Sequence, residues 1–166
     1  MSASHRRAAP AGGSSATSSP SPLTQVVRFL GGRSVLKKTI TSKLDVHEAI
    51  LKGLPGGVRS HMVKHAQSMK PADLGHAVGV SVRTVQRRAG SPEKPLSQDQ
   101  SSRAWKFAEV LTTATDVFGS QAEAERWLTA PATALDQRRP IDLLASTSGV
   151  EMVEQLLGRL RYGVYT

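Results

Sequence analysis

Arg83, Gln86 and Arg87 lie close together in the stretch Ser81-Val82-Arg83-Thr84-Val85-Gln86-Arg87. On a helix seated in the major groove, Arg and Gln can form paired hydrogen bonds with base edges, while Ser and Thr suit phosphate oxygens. At helical spacing Val85 returns to the core beside Ala89, which leaves Ser81, Val82, Arg83, Thr84, Gln86 and Arg87 facing outward as candidate DNA-binding residues. Such a set reads DNA only if its helix is held at a fixed angle. The preceding residues are suited to hold it. Pro71 fits the first turn of a helix, where its missing N–H costs nothing. Leu74, Ala77 and Val78 line one face, Gly79 can take the positive φ of a sharp turn, Val80 fills the elbow and Ser81 caps the second helix. Proline, turn glycine and cap fall in the register of a helix-turn-helix.

Other reactive side chains do not assemble into a site. His61 and His65 have the i, i+4 spacing that can hold zinc, but Lys64 sits between them and neither a glutamate nor a third ligand accompanies them. They read as two solvent-facing histidines. Gly31-Gly32 and the glycines from 53 to 57 lack the Gly-Lys-Ser/Thr ending of a phosphate loop, and no strained nucleophile turn is present. The expectation is a protein that is not an enzyme, with no cofactor, metal or catalytic residue.

Charge separates the chain into two parts. Residues 1–95 hold 15 Lys and Arg against 4 Asp and Glu, whereas residues 96–166 hold 7 against 9. A basic part carrying a helix-turn-helix fits a nucleic-acid face, and the mildly acidic remainder leaves a surface for something else. Cysteine is absent, in keeping with a reducing cytoplasm, and no run approaches the ~18 apolar residues of a membrane span.

Residues 1–22 are rich in Ser, Ala, Gly and Pro, with Arg6 and Arg7 but no carboxylate, and read as a disordered tail. The same make-up is similar to that of an organellar transit peptide, a reading the tail is preferred to. Residues 23–40 have no decided local structure. Asp45 with Glu48 predicts a capping box for a helix ending at Gly53, and Pro55 opens another that runs to about Gln67. Residues 90–95 read as a linker between a helix-turn-helix domain at 23–95 and a second domain at 96–166, which should then fold alone. In that second part Ser97 with Gln100 and Ser120 with Glu123 each cap a helix. Ala104, Phe107, Ala108, Leu111, Thr115 and Phe118 form one stripe, and a final helix from about Ser148 to Arg161 turns Val150, Val153, Leu156, Leu157 and Leu160 inward. Nothing alternates with period two, so the fold is predicted to be all-α.

Several residues of the second part occur in a recognisable order: Trp127-Leu128, Pro140, Leu143-Leu144, Gly149, Val153, Leu157, Arg159-Leu160, and Gly163 ahead of Tyr165. With Gly53-Leu54-Pro55 and Arg83-Thr84-Val85-Gln86-Arg87 upstream, the chain from about residue 30 to 166 resembles the Xre/MbcA/ParS-like antitoxins. Arg88 departs from the pattern, standing where an apolar residue is common. The resemblance implies a type II antitoxin that neutralises a RES-domain, NAD-depleting toxin by placing its C-terminal domain over the active site. It also implies an Xre-like half that dimerises and binds the operator of its own operon. The residues expected to meet the toxin are Arg159, Arg161, Tyr162, Gly163, Val164, Tyr165 and Thr166, which supply the Arg and Tyr common at interface centres. Two alternatives stay open: a stand-alone transcription regulator, and a polar localisation or scaffold protein sharing the domain.

Overall fold

The structure is a computed structural model and describes residues 20–81, 83 and 94–163. Its helices are α1 (Pro22–Phe29), α2 (Gly32–Leu36), α3 (Lys43–Lys52), α4 (Gly57–His65), α5 (Pro71–Val78), α6 (Gln98–Phe118), α7 (Gln121–Thr129), α8 (Pro140–Leu143) and α9 (Thr147–Arg161). A short 3-10 turn, Thr133–Leu135, lies between α7 and α8. Among the described residues there is no strand, only an isolated antiparallel bridge between Ala132 and Arg138. The predicted all-α fold is what forms.

The described residues begin inside the segment read as tail. Ser21 accepts the Thr24 N–H, Pro22 occupies the first helical turn, and Val26 and Leu30 enter the core. Residues 1–19 lie outside the described part. The undecided stretch after it becomes α1 and α2, which part at Gly31.

The start of α3 needs correction. Its cap is Ser42, not Asp45: the Ser42 hydroxyl accepts the Asp45 N–H, and Asp45 reaches back to the Ser42 N–H at 2.9 Å. An aspartate serves either as the cap or as the reciprocal third residue, and the serine three positions upstream decides which. Glu48 instead forms an ion pair with Lys38 at 2.9 Å. α4 also stops short of Gln67, ending at His65.

α6 organises the rest. Its capping box of Ser97 and Gln100 forms as predicted. Ala104, Phe107, Ala108 and Leu111 are buried and Thr115 and Phe118 half-buried, but Ser101, Trp105, Val110, Thr112 and Ala114 are buried too, so the helix is enclosed on more than one face. α1, α3, α5, α7 and α9 all pack against it. Phe107 meets Phe29 at 6.1 Å between ring centres, and Phe118 meets Trp127 at 5.2 Å. The chain just before α6 is fastened as well: Leu96 N–H donates to the Leu54 carbonyl at 2.9 Å, and Leu54 N–H to the buried Ser101 hydroxyl at 2.8 Å. A side chain at Gly53 would run into the Leu96 carbonyl oxygen, which accounts for a glycine there. One continuous apolar core therefore spans the linker.

Candidate functional site

The helix-turn-helix is built from α5 outward. Leu74, Ala77, Val78 and Val80 are buried, as their spacing predicts. Gly79 takes φ +74°, so the chain reverses with the Val80 N–H bonded to the Gly75 carbonyl at 2.8 Å. Ser81 and Arg83 come next, both exposed, with Arg83 already helical. Val82, Thr84, Gln86 and Arg87 lie outside the described residues, as do Val85, Arg88 and Ala89.

Side chains from beyond the helix-turn-helix fix this frame. Gln100 donates to the Gly79 carbonyl at 3.3 Å, and the Arg103 side chain lies against Gly79. Arg139 binds Asp142 through two hydrogen bonds, at 2.7 and 2.8 Å, and Asp73 of α5 at 2.9 Å. Its guanidinium is held charged even more firmly than usual, first by the hydrogen bond to Asp142 and then by that to Asp73. The hydrogen bond to Arg139 in turn lowers the Asp142 pKa below the ordinary carboxylate value. Sequence reasoning missed Arg139 in this role because Asp73 lies 66 residues away.

The second candidate surface is the end of α9. Ser146 caps the helix through the Gly149 N–H, one residue earlier than its predicted start. Val150, Val153, Leu156 and Leu157 are buried and Leu160 half-buried. The opposite face carries Met152, Gln155, Arg159 and Tyr162, of which Tyr162 is 79% exposed. Tyr162 therefore does not cover its own domain's core. Arg161 is exposed but tied to Asp116 at 3.3 Å, whereas Arg159 forms no ion pair with any described residue. Gly163 leaves the helix at φ +66°, and Val164, Tyr165 and Thr166 are outside the described part. Met152 and Gln155 were not singled out from sequence, although residues 152, 155, 159 and 162 have the spacing of a single helical face.

His61 and His65 need a second correction. Their rings stack at 3.9 Å, and His61 is half-buried rather than solvent-facing. Burial lowers the His61 pKa, helped by His65 and Lys64 nearby. With Arg28, Phe29, Asp116 and Gln121 they line a cavity of about 520 Å³. No group of three ligand-type side chains occurs among the described residues, and no described helix is long and apolar enough to cross a membrane.

Two family models match the chain. Residues 45–109 match the antitoxin Xre-like helix-turn-helix domain, and residues 113–163 match the antitoxin Xre/MbcA/ParS C-terminal toxin-binding domain. The two meet inside α6. A protein named Antitoxin Xre from Yersinia enterocolitica is 31% identical over 100 residues, covering 60% of this chain and 67% of that one. Proteins of the same name from Pseudomonas putida and Photorhabdus laumondii are each 30% identical. They span 51% and 55% of this chain, and 52% and 62% of their own lengths. With a helix-turn-helix held by α5 and α6 and a toxin-binding segment running to the end of α9, the chain belongs to the Xre/MbcA/ParS-type antitoxins.

Proposed function

We propose that this antitoxin neutralises a RES-domain toxin that depletes NAD, by laying the end of α9 and the residues after it over the toxin's active site. It would act by occupancy, without chemistry of its own. The observation that carries this reading is the exposure of Arg159 and Tyr162 just past the last buried apolar turn, inside the toxin-binding match. Those are the side-chain types that supply most binding energy at interface centres. The same reading makes the protein a homodimer that represses its own operon through Ser81, Val82, Arg83, Thr84, Gln86 and Arg87. Leu44 and Leu51, exposed on α3 beside and within the helix-turn-helix match, offer apolar surface for the second copy.

Co-expression with a RES-domain toxin tests the toxin half. Residues 162–166 follow the last apolar turn at Leu160, so on their deletion the protein should remain helical while cellular NAD falls. Arg159→Ala should weaken toxin binding by about 2 kcal/mol. Arg161→Ala should do less, because Arg161 already has Asp116 as a partner. A helical truncated protein that still keeps NAD high would sink occlusion. Sequence-specific repression fails separately if the protein binds its own promoter no better than random DNA at physiological salt.

A further inference from the structure

α5 is oriented by residues that do not belong to it. Its N-cap position is Lys70, which makes no side-chain cap. The chain entering α5 is instead held by Glu125 of α7. One carboxylate oxygen of Glu125 accepts the N–H groups of Gln67 at 2.8 Å, of Ser68, and of Met69 at 3.0 Å. The other accepts from the Gln121 side-chain amide at 2.7 Å, and that amide also reaches the His65 carbonyl at 2.8 Å. Glu125 is 1% exposed, so the three N–H groups have one tightly placed acceptor. A few residues further on, Arg139 grips Asp73 in the first turn of α5. Both Glu125 and Arg139 lie within residues 113–163, the toxin-binding match.

We infer that Glu125 and Arg139 are positioning residues for DNA recognition: the toxin-binding segment sets the angle at which the helix-turn-helix presents Arg83 and its neighbours. The chain is helical again at Arg83, four residues after the turn at Gly79, so a tilt of α5 carries Arg83 with it. Paired hydrogen bonds to a base edge tolerate only small displacements. This inference rests on the proposed sequence-specific binding of the operator.

The test compares full-length wild type, Glu125→Ala, Glu125→Gln and Arg139→Ala on two duplexes, one carrying the DNA upstream of its own coding sequence and one a scrambled control. Measurements are made well below every variant's melting temperature, where a merely structural role would leave the affinity ratio unmoved. Glu125→Ala and Arg139→Ala should each lower that ratio about tenfold, the scale of one lost base contact. Glu125→Gln keeps an acceptor for the three N–H groups but turns its amide nitrogen toward the Gln121 amide, and should restore part of it. If Glu125→Ala fails to fold, Arg139→Ala carries the comparison, since Arg139 is partly solvent-exposed. A wild type that does not discriminate the two duplexes overturns the operator reading and this inference with it. A discriminating wild type with folded Glu125→Ala and Arg139→Ala proteins that discriminate equally well overturns the positioning role alone.

Discussion

The first turn of α3 and the turn entering α5 are each held by one carboxylate receiving several donors. Asp45 collects the Thr41 and Ser42 N–H groups and both hydroxyls, all from three or four residues away and near the surface. Glu125 collects N–H groups from 56 to 58 residues away, inside the protein. The bond type is the same, but the chain that must be ordered to make it differs greatly. Asp45 closes its contacts as soon as one helical turn forms. Glu125 closes them only after α6 has returned the chain, so its bonds report assembly of the whole core.

Removing the donors altogether is the most severe perturbation of the Glu125 contacts. A fragment of residues 96–166 keeps Glu125 without its partners and bares the face of α6 that meets Phe29. We expect it to show no cooperative melting by circular dichroism, contrary to the independence that the linker at 90–95 implies. A sharp transition would restore that independence. Glu125→Ala is the next largest change. It should lower the unfolding free energy in urea by about 2–3 kcal/mol, because the buried Met69 amide loses its acceptor. Glu125→Gln should recover part of the loss, since it keeps an acceptor for the three N–H groups but opposes the Gln121 amide with a second donor. Equal losses in both variants would show that one neutral acceptor does not suffice.

Asp45 should give the smallest and most pH-specific effect. Hydrogen bonds from Thr41 and Ser42 bring its pKa down from 3.8 to about 2. A folded-state pKa below the unfolded one means stability that is complete above the unfolded value and lost as pH falls through the folded one. Wild type and Asp45→Asn should therefore differ in melting temperature at neutral pH, with the gap closing between about pH 4 and pH 2. A gap that does not change with pH would assign the difference to something other than this carboxylate.

Residues that act within a turn were readable. Pro71, Gly79 and the serines at 97 and 120 do in the structure what their types and spacing imply. Asp45 was half-readable: its capping chemistry was visible, but its position in the box depended on Ser42. The candidate toxin-binding face was legible in Arg159 and Tyr162 through the resemblance, whereas the pairing of Arg161 with Asp116 was not, since the two lie 45 residues apart. Glu125 looked like any polar residue of an amphipathic helix, and no local pattern separates a buried acceptor from a solvated one.

The sequence by itself determined that the chain is all-α, where several helices begin, that a helix-turn-helix domain is present, and which family the chain belongs to. Those properties depend on caps, turn glycines and apolar periodicity, whose interactions close within a few residues. Tertiary structure alone decided that α6 is shared by both parts, that Glu125 and Arg139 hold α5, and that Tyr162 stands clear of the core. These outcomes depend on which surfaces meet when the chain returns on itself, because burial turns an ordinary carboxylate into the required partner of a distant backbone.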